Sequence, residues 1–203
     1  MITVKQIIPS GGVVTNSGLT FGGSKAEVED WPVNPDGEPL TLVATIDFSK
    51  IQGIECAKNV PGQGKLHVFT TYSKSDYFLE NVTYSGDPSE LETILSGYTL
   101  VVRGQGGVFQ ESPVDSIPET ATELKDRDIG ADDFPVFSMI SNVVPHGVIL
   151  PDVFLAEYDF LCQFYSSDFS DPFKDIFYLT DAVGYLFLKK DRSGSGVFFV
   201  QTA

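Results

Sequence analysis

Apolar residues in this chain gather in short runs, rich in β-branched and aromatic side chains, that Gly, Pro, Asn and Asp interrupt. Such runs read as β-strands. They cover residues 40–48 (LTLVATIDF), 65–72 (KLHVFTTY), 98–104 (YTLVVRG), 107–111 (GVFQE), 158–166 (YDFLCQFYS), 184–191 (GYLFLKKD) and 196–202 (GVFFVQT). Two joins read as hairpins: RGQGG between Val102 and Val108, and DRSGSG between Lys190 and Val197. One helix is well signalled at DPSELETILSG. Asp87 caps it, Pro88 suits its first turn and Glu90 completes a capping box. Leu91, Ile94 and Leu95 are expected on one face, with Gly97 as the stop. Residues 117–131 (IPETATELKDRDIGA) lack a sustained apolar period and read as an acidic loop.

The expected fold class is α+β, mainly antiparallel β, with few short helices in one compact domain over residues 1–203. An internal echo adds a second expectation. LVATIDFSKI and PGQGKLHVFTTY are answered by FLCQFYSSDF and DAVGYLFLKK, as if two pseudo-repeated half-sheets, roughly residues 21–110 and 134–203, were packed into one body.

Composition agrees with a single core: 42% of residues are hydrophobic and 16 are phenylalanine. Charge changes the picture more. With 28 acids against 13 bases the formal charge is −15. Such a surface repels nucleic acid and anionic membranes and draws basic partners, although acidity also serves plain solubility. Apolar runs stay short of the roughly 18 residues of a membrane helix, and MITVKQII has no leader-like apolar stretch, so a soluble, unprocessed protein is expected. Cys56 and Cys162 form no CxxC or ladder of spacings, and two reduced thiols in a cytoplasm are the expectation.

Catalytic chemistry is thinly represented. His67 alternates with Leu66 and Val68 and so points to the opposite sheet face, the position of a surface or satisfied histidine. His146 sits in the turn VPHGV. No GxSxG elbow occurs, and GSG at 194–196 belongs to its hairpin. DRDIGADD spaces Asp126, Asp128 and Asp132 like part of a calcium loop but places Gly130 fifth rather than sixth. RGQGGVF lacks the lysine of a phosphate loop. The residues therefore assign no catalytic group, metal ligand or cofactor.

The segment from Gly22-Gly23 through Trp31-Pro32, Gly37, Pro39-Leu40, Ile46-Asp47, Pro61, Gly64 and Leu66 resembles the signature of the YwqG-like family of bacterial proteins, whose biochemical function is unassigned. Leu161 and Gln163 are similar to that family's second Leu-x-Gln strand, and Asp181, Ala182 and Gly184 to its Gly-Asp-Ala-Gly motif, with Thr180 where Gly is usual. The resemblance spans residues 21–72 and 155–190. It implies a structural role for Trp31, covering the sheet edge, and membership among candidate immunity proteins encoded beside secreted toxins. It brings no catalytic residue with it.

A non-catalytic cytoplasmic protein that binds and neutralises a toxin is the resulting expectation. Residues 111–133 hold Glu111, Asp115, Glu119, Glu123, Asp126, Asp128, Asp132 and Asp133 against Lys125 and Arg127. An acidic loop of this kind could plug a basic active-site cleft. The residues expected to contact the toxin are Glu123, Asp126, Asp128, Asp132 and Asp133, with Phe134 and Phe137 as apolar anchors. Two alternatives stand beside it: a small-molecule or enzymatic site in the groove between the halves, using Asp47 and Asp181, and a scaffold subunit of a larger assembly.

Overall fold

The computed structural model describes residues 1–11, 16–104, 106–152 and 154–202. In chain order its strands are β1 (Ile2–Pro9), β2 (Leu19–Phe21), β3 (Lys25–Ala26), β4 (Thr41–Asp47), β5 (Lys65–Thr70) and β6 (Thr99–Arg103), then β7 (Gln110–Glu111), β8 (Thr120–Ile129), β9 (Met139–Ile140), β10 (Tyr158–Tyr165), β11 (Ala182–Lys189) and β12 (Gly196–Thr202). Four short helices accompany them: α1 (Phe48–Ile51), α2 (Leu79–Val82), α3 (Pro88–Thr93) and α4 (Phe154–Glu157). Ten strands form one sheet in the order β12-β11-β10-β9-β1-β8-β2-β4-β5-β6, and β3 pairs with β7 in a small separate ribbon. Every strand pair is antiparallel.

The sheet curls until its two ends approach. Phe21 of β2 packs edge-on against Phe164 of β10 at 5.9 Å between ring centroids, although three strands separate them in the sheet. Only a curled sheet brings such residues face to face. At the seam, the Thr99 hydroxyl of β6 donates to the Phe198 carbonyl of β12 at 2.5 Å, and Arg103 donates to the Ser193 carbonyl at 3.2 Å. The concave face holds the main core, including Ile7, Phe21, Ile46, Leu66, Phe164 and Phe198. Each such side chain, taken wholly out of water, contributes on the order of 1.5–3 kcal/mol. Gly184 is needed here because a Cβ would lie 2.3 Å from the Phe198 ring.

The convex face is covered unevenly. Over β10–β12 a second apolar cluster joins Tyr185, Phe187 and Phe199 to Tyr84, Ile94 and Phe154, so this end of the sheet is buried on both sides. Over β4–β5 a smaller cluster joins Leu40, Leu42 and Phe69 to Trp31. Trp31 donates its indole N–H to the Leu40 carbonyl at 2.8 Å and meets Phe69 edge-on at 5.4 Å. It thus covers the convex face of the sheet, not an edge as expected from the sequence, because β5 runs on beneath it to β6.

Several sequence expectations are corrected. Residues 120–129, expected as a loop, form a ten-residue strand. Its charged side chains stay in solvent while its backbone bonds to β1 along the whole of that strand, so the ladder and not an apolar period holds it. β1 itself escaped notice. RGQGG joins no hairpin: β7 pairs with β3 and not with β6, and Gln105 within that join lies outside the described residues. DRSGSG does close a hairpin between β11 and β12. α3 has the expected capping box, Asp87 with Glu90, but Ile94 is buried while Leu95 is exposed, because the last turn widens into a π turn through Tyr98.

Candidate functional site

The acidic residues expected to meet a partner do not form one surface. β8 alternates, so Asp126 and Asp128 lie on one face and Glu123 on the other. Asp126 pairs with Lys5 of β1 at 2.7 Å, Asp128 accepts from the Thr3 hydroxyl at 2.7 Å, and Glu123 lies 3.4 Å from Lys125. Asp133 accepts the Gly130 N–H at 2.5 Å and closes the turn after β8, while Asp132 is exposed there. A strand cannot fold into a cleft as a loop could. Glu123, Asp126 and Asp128 are therefore fixed points on a rigid element, which corrects the picture of a plugging loop.

Four of the seven predicted residues do meet. Residues 127–129 and 133–137 line a groove of about 280 Å³ that includes Asp128, Asp133, Phe134 and Phe137. Glu123, Asp126 and Asp132 lie outside its lining. Gln163 braces this loop from behind: this buried side chain on β10 donates to the carbonyls of Pro135 and Phe137, both at 2.7 Å, and so ties the loop to the core. The Arg127 guanidinium lies 4.0 Å from the centre of the Phe137 ring and donates to Gln6 Oε1 at 3.1 Å. Phe134 and Val136 remain 39% and 50% exposed, so the rim pairs apolar anchors with carboxylates. The contribution of Val136 was not foreseen.

A second site lies on the convex face of β2, β4 and β5. The register sets Thr20 opposite Thr45 and Thr45 opposite His67, giving a polar row where alternation turns these residues away from the core. Asp47 and Lys65 form the next cross-strand pair on that face. Lys25, Lys50 and Phe109 complete a cleft of about 310 Å³. Gly18 admits Lys50 to this wall: it has φ +80°, and a Cβ there would lie 2.6 Å from Lys50 Cβ. Asp47 caps α1 through the Ser49 N–H at 3.0 Å, Glu27 pairs with Lys65, and Lys65 Nζ lies 5.5 Å from the Phe109 ring centre.

His67 is the fixed point of that cleft. It is 2% exposed, and its Nε2 accepts the Glu27 backbone N–H at 3.1 Å, so the ring proton sits on Nδ1 and is donated to Thr45 Oγ1 at 3.0 Å. Burial above all holds its pKa down to about 4, against a smaller opposing effect of Glu27. The satisfied histidine expected from the strand pattern is what the structure contains. The lysines and Phe109 around it were not foreseen, since only the curled register and the β3–β7 ribbon bring them together.

The groove between the two halves of the sheet is narrow. About 50 Å³ is enclosed between residues 56–60 and Asn142, Asp159–Leu161 and Leu188–Lys189, and neither Asp47 nor Asp181 lines it. Asp181 does not line the cleft that holds Asp47 either. Neither hollow brings the two carboxylates together. Cys56 and Cys162 are free and buried, and burial pushes both thiols upward. Among the described residues no three His, Cys, Asp or Glu side chains gather so as to hold a metal ion, and no helix is long and apolar enough to cross a membrane.

A family model described as "Domain of unknown function (DUF1963)" matches residues 22–133. The match takes in β3 to β8, and with them His67 and the cleft lysines, but stops short of Phe134 and Phe137. No curated protein matches the chain.

Proposed function

Starting from the DUF1963 family, to which the chain belongs, we propose that it is a YwqG-like member that acts without catalysis, binding and neutralising a cationic toxin in the cytoplasm. The observation that carries this reading is the groove beneath β8, where Asp128 and Asp133 stand beside the exposed Phe134 and Val136. Carboxylates next to apolar anchors suit a basic protein surface: charge raises the encounter rate, and buried rings then set the lifetime of the complex. The formal charge of −15 extends that attraction beyond the groove. Asp126, Asp132 and Glu123 act in this reading through the field and not through contact.

The same reading takes the chain as one domain with two related halves. Its support is that β4–β6 and β10–β12 are each three-stranded antiparallel meanders whose first strand carries a register shift, between Leu42 and Ala44 in one and between Phe160 and Cys162 in the other.

The test is a tagged capture from the native cell with a salt titration of whatever binds one-to-one, followed by the double variant Asp128→Lys/Asp132→Lys and the variant Phe134→Ala. Charge reversal is expected to slow association at least tenfold at low salt and to flatten the salt dependence. Phe134→Ala should speed dissociation. A captured toxin whose affinity is the same for both variants, each folded by circular dichroism, would remove the groove from the proposal.

A further inference from the structure

The cleft on β2, β4 and β5 carries an arrangement that toxin binding does not use. Three of the chain's 13 cationic residues, Lys25, Lys50 and Lys65, line one cleft of a protein that is otherwise strongly acidic. Two carboxylates, Asp47 and Glu119, share the lining. Asp47 lies 4.0 Å from Lys50, while Glu111 and Glu27 pair with Lys25 and Lys65. Each ammonium keeps further donors beyond its one partner. With Glu27 and Glu111 counted, four carboxylates face three ammonium groups, so an anion is retained not by net charge but only by direct hydrogen bonds to the donors those carboxylates leave free.

The hydrogen-bond direction at the floor is the independent observation. The Glu27 N–H occupies Nε2 of His67, the ring proton goes to Thr45 Oγ1, and the Thr45 hydroxyl is left to donate its own hydrogen elsewhere. Thr45 is partly exposed on the cleft floor, so that hydrogen is offered to whatever enters. Above it the Phe109 ring is 57% exposed beside Lys65. We propose that this cleft binds a small carboxylate or phosphate carried on a flat ring, the anion held by Lys50, Lys65 and the Thr45 hydroxyl and the ring lying on Phe109. At about 310 Å³ the cleft matches one such molecule.

The test is a ¹H–¹⁵N titration of the whole chain with benzoate, adenosine monophosphate and inorganic phosphate, with neutral benzamide as control. Saturable shifts at Thr20, Thr45 and Lys50 are expected from benzoate or adenosine monophosphate and not from benzamide; which of the two binds tighter distinguishes the carboxylate from the phosphate. Lys50→Ala, at an exposed side chain, and Thr45→Val should each weaken binding roughly tenfold, the loss of one charge-assisted hydrogen bond, while Thr45→Ser restores it. Because Thr45→Val also leaves the His67 proton without an acceptor, Lys50→Ala is the variant that decides if the former does not fold. Absence of shifts from all three anions, equal shifts from benzamide, or unchanged binding in Lys50→Ala would each overturn the proposal. None of these outcomes bears on the toxin groove, which shares no residue with the cleft.

Discussion

The meanders β4–β6 and β10–β12 stand at opposite ends of one sheet and are built alike, yet the convex face of one carries a polar cleft and that of the other is covered by apolar side chains. In β10–β12 both faces are apolar: Phe164, Leu186 and Phe198 point into the core, and Tyr185, Phe187 and Phe199 point out beneath the helices. In β4–β5 the inward residues are equally apolar, but Thr45, Asp47, Lys65 and His67 take the outward positions. Both alternate, and the difference lies in the residues that take the outward positions. A strand whose second face is covered by rings becomes structure, and one whose second face keeps hydroxyl, imidazole and ammonium groups becomes a site.

The sharpest way to break the contrast is to cut into the two-sided core. Phe198→Ala removes a ring packed between Phe164, Phe177 and Gly184, and is expected to cost about 4 kcal/mol in urea unfolding, whereas truncating the exposed Phe109 should cost no more than about 0.5 kcal/mol. Comparable losses would mean that the two ends are not differently packed.

Acid tests the polar face next. His67 has a folded pKa near 4, below its ordinary 6.5. Above pH 6.5 folded and unfolded chains both hold it neutral. As pH falls from 6.5 to 4 the unfolded chain takes up a proton that the folded chain refuses, so stability drops by roughly 3 kcal/mol over that window. His67→Gln should remove this slope in urea titrations. If the variant keeps the wild-type slope, His67 is not buried in the neutral form.

A smaller effect is expected in the connections. β11 and β12 are joined by a tight turn, while β5 reaches β6 through α2 and α3, and α3 depends on its cap. The Asp87 side chain accepts the Ser89 N–H at 2.9 Å, and this bond is the main cause that holds its carboxyl below the usual range. Asp87→Ala should lower Tm by about 3 °C. An unchanged Tm would show that packing of Ile94, and not the cap, holds that connection.

The same contrast explains what could be read in the sequence. β10–β12 and β4–β6 were legible because buried strands are written in Val, Ile, Leu and Phe, and α3 because its cap is written in Asp87, Pro88 and Glu90. β8 was not, since TATELKDRDI owes its conformation to β1, a partner remote in the chain. The acidic residues were visible one by one, but their division between two faces depended on that strand. Of the cleft, His67, Asp47, Glu119 and Gly22 stand out in the sequence for separate reasons, whereas Thr45, Lys50 and Phe109 acquire a meaning only when the register sets them around one hollow. Gln163 carried a motif resemblance, and its purpose emerges in the two carbonyls that it grips.

The pairing of β1 has a consequence for how the molecule is made. Thr3 and Asp128, joined by a hydrogen bond, are 125 positions apart, and β1 also needs β9 on its other side. During synthesis this β-branched segment must wait, unpaired, until residues 120–129 have left the ribosome, and its other edge until residues 139–140 follow. Closure over such a distance is slow relative to the local hairpin of β11 and β12. The centre of the sheet is thus assembled late, and the nascent chain is most open to capture by chaperones while Ile2–Pro9 has no neighbour.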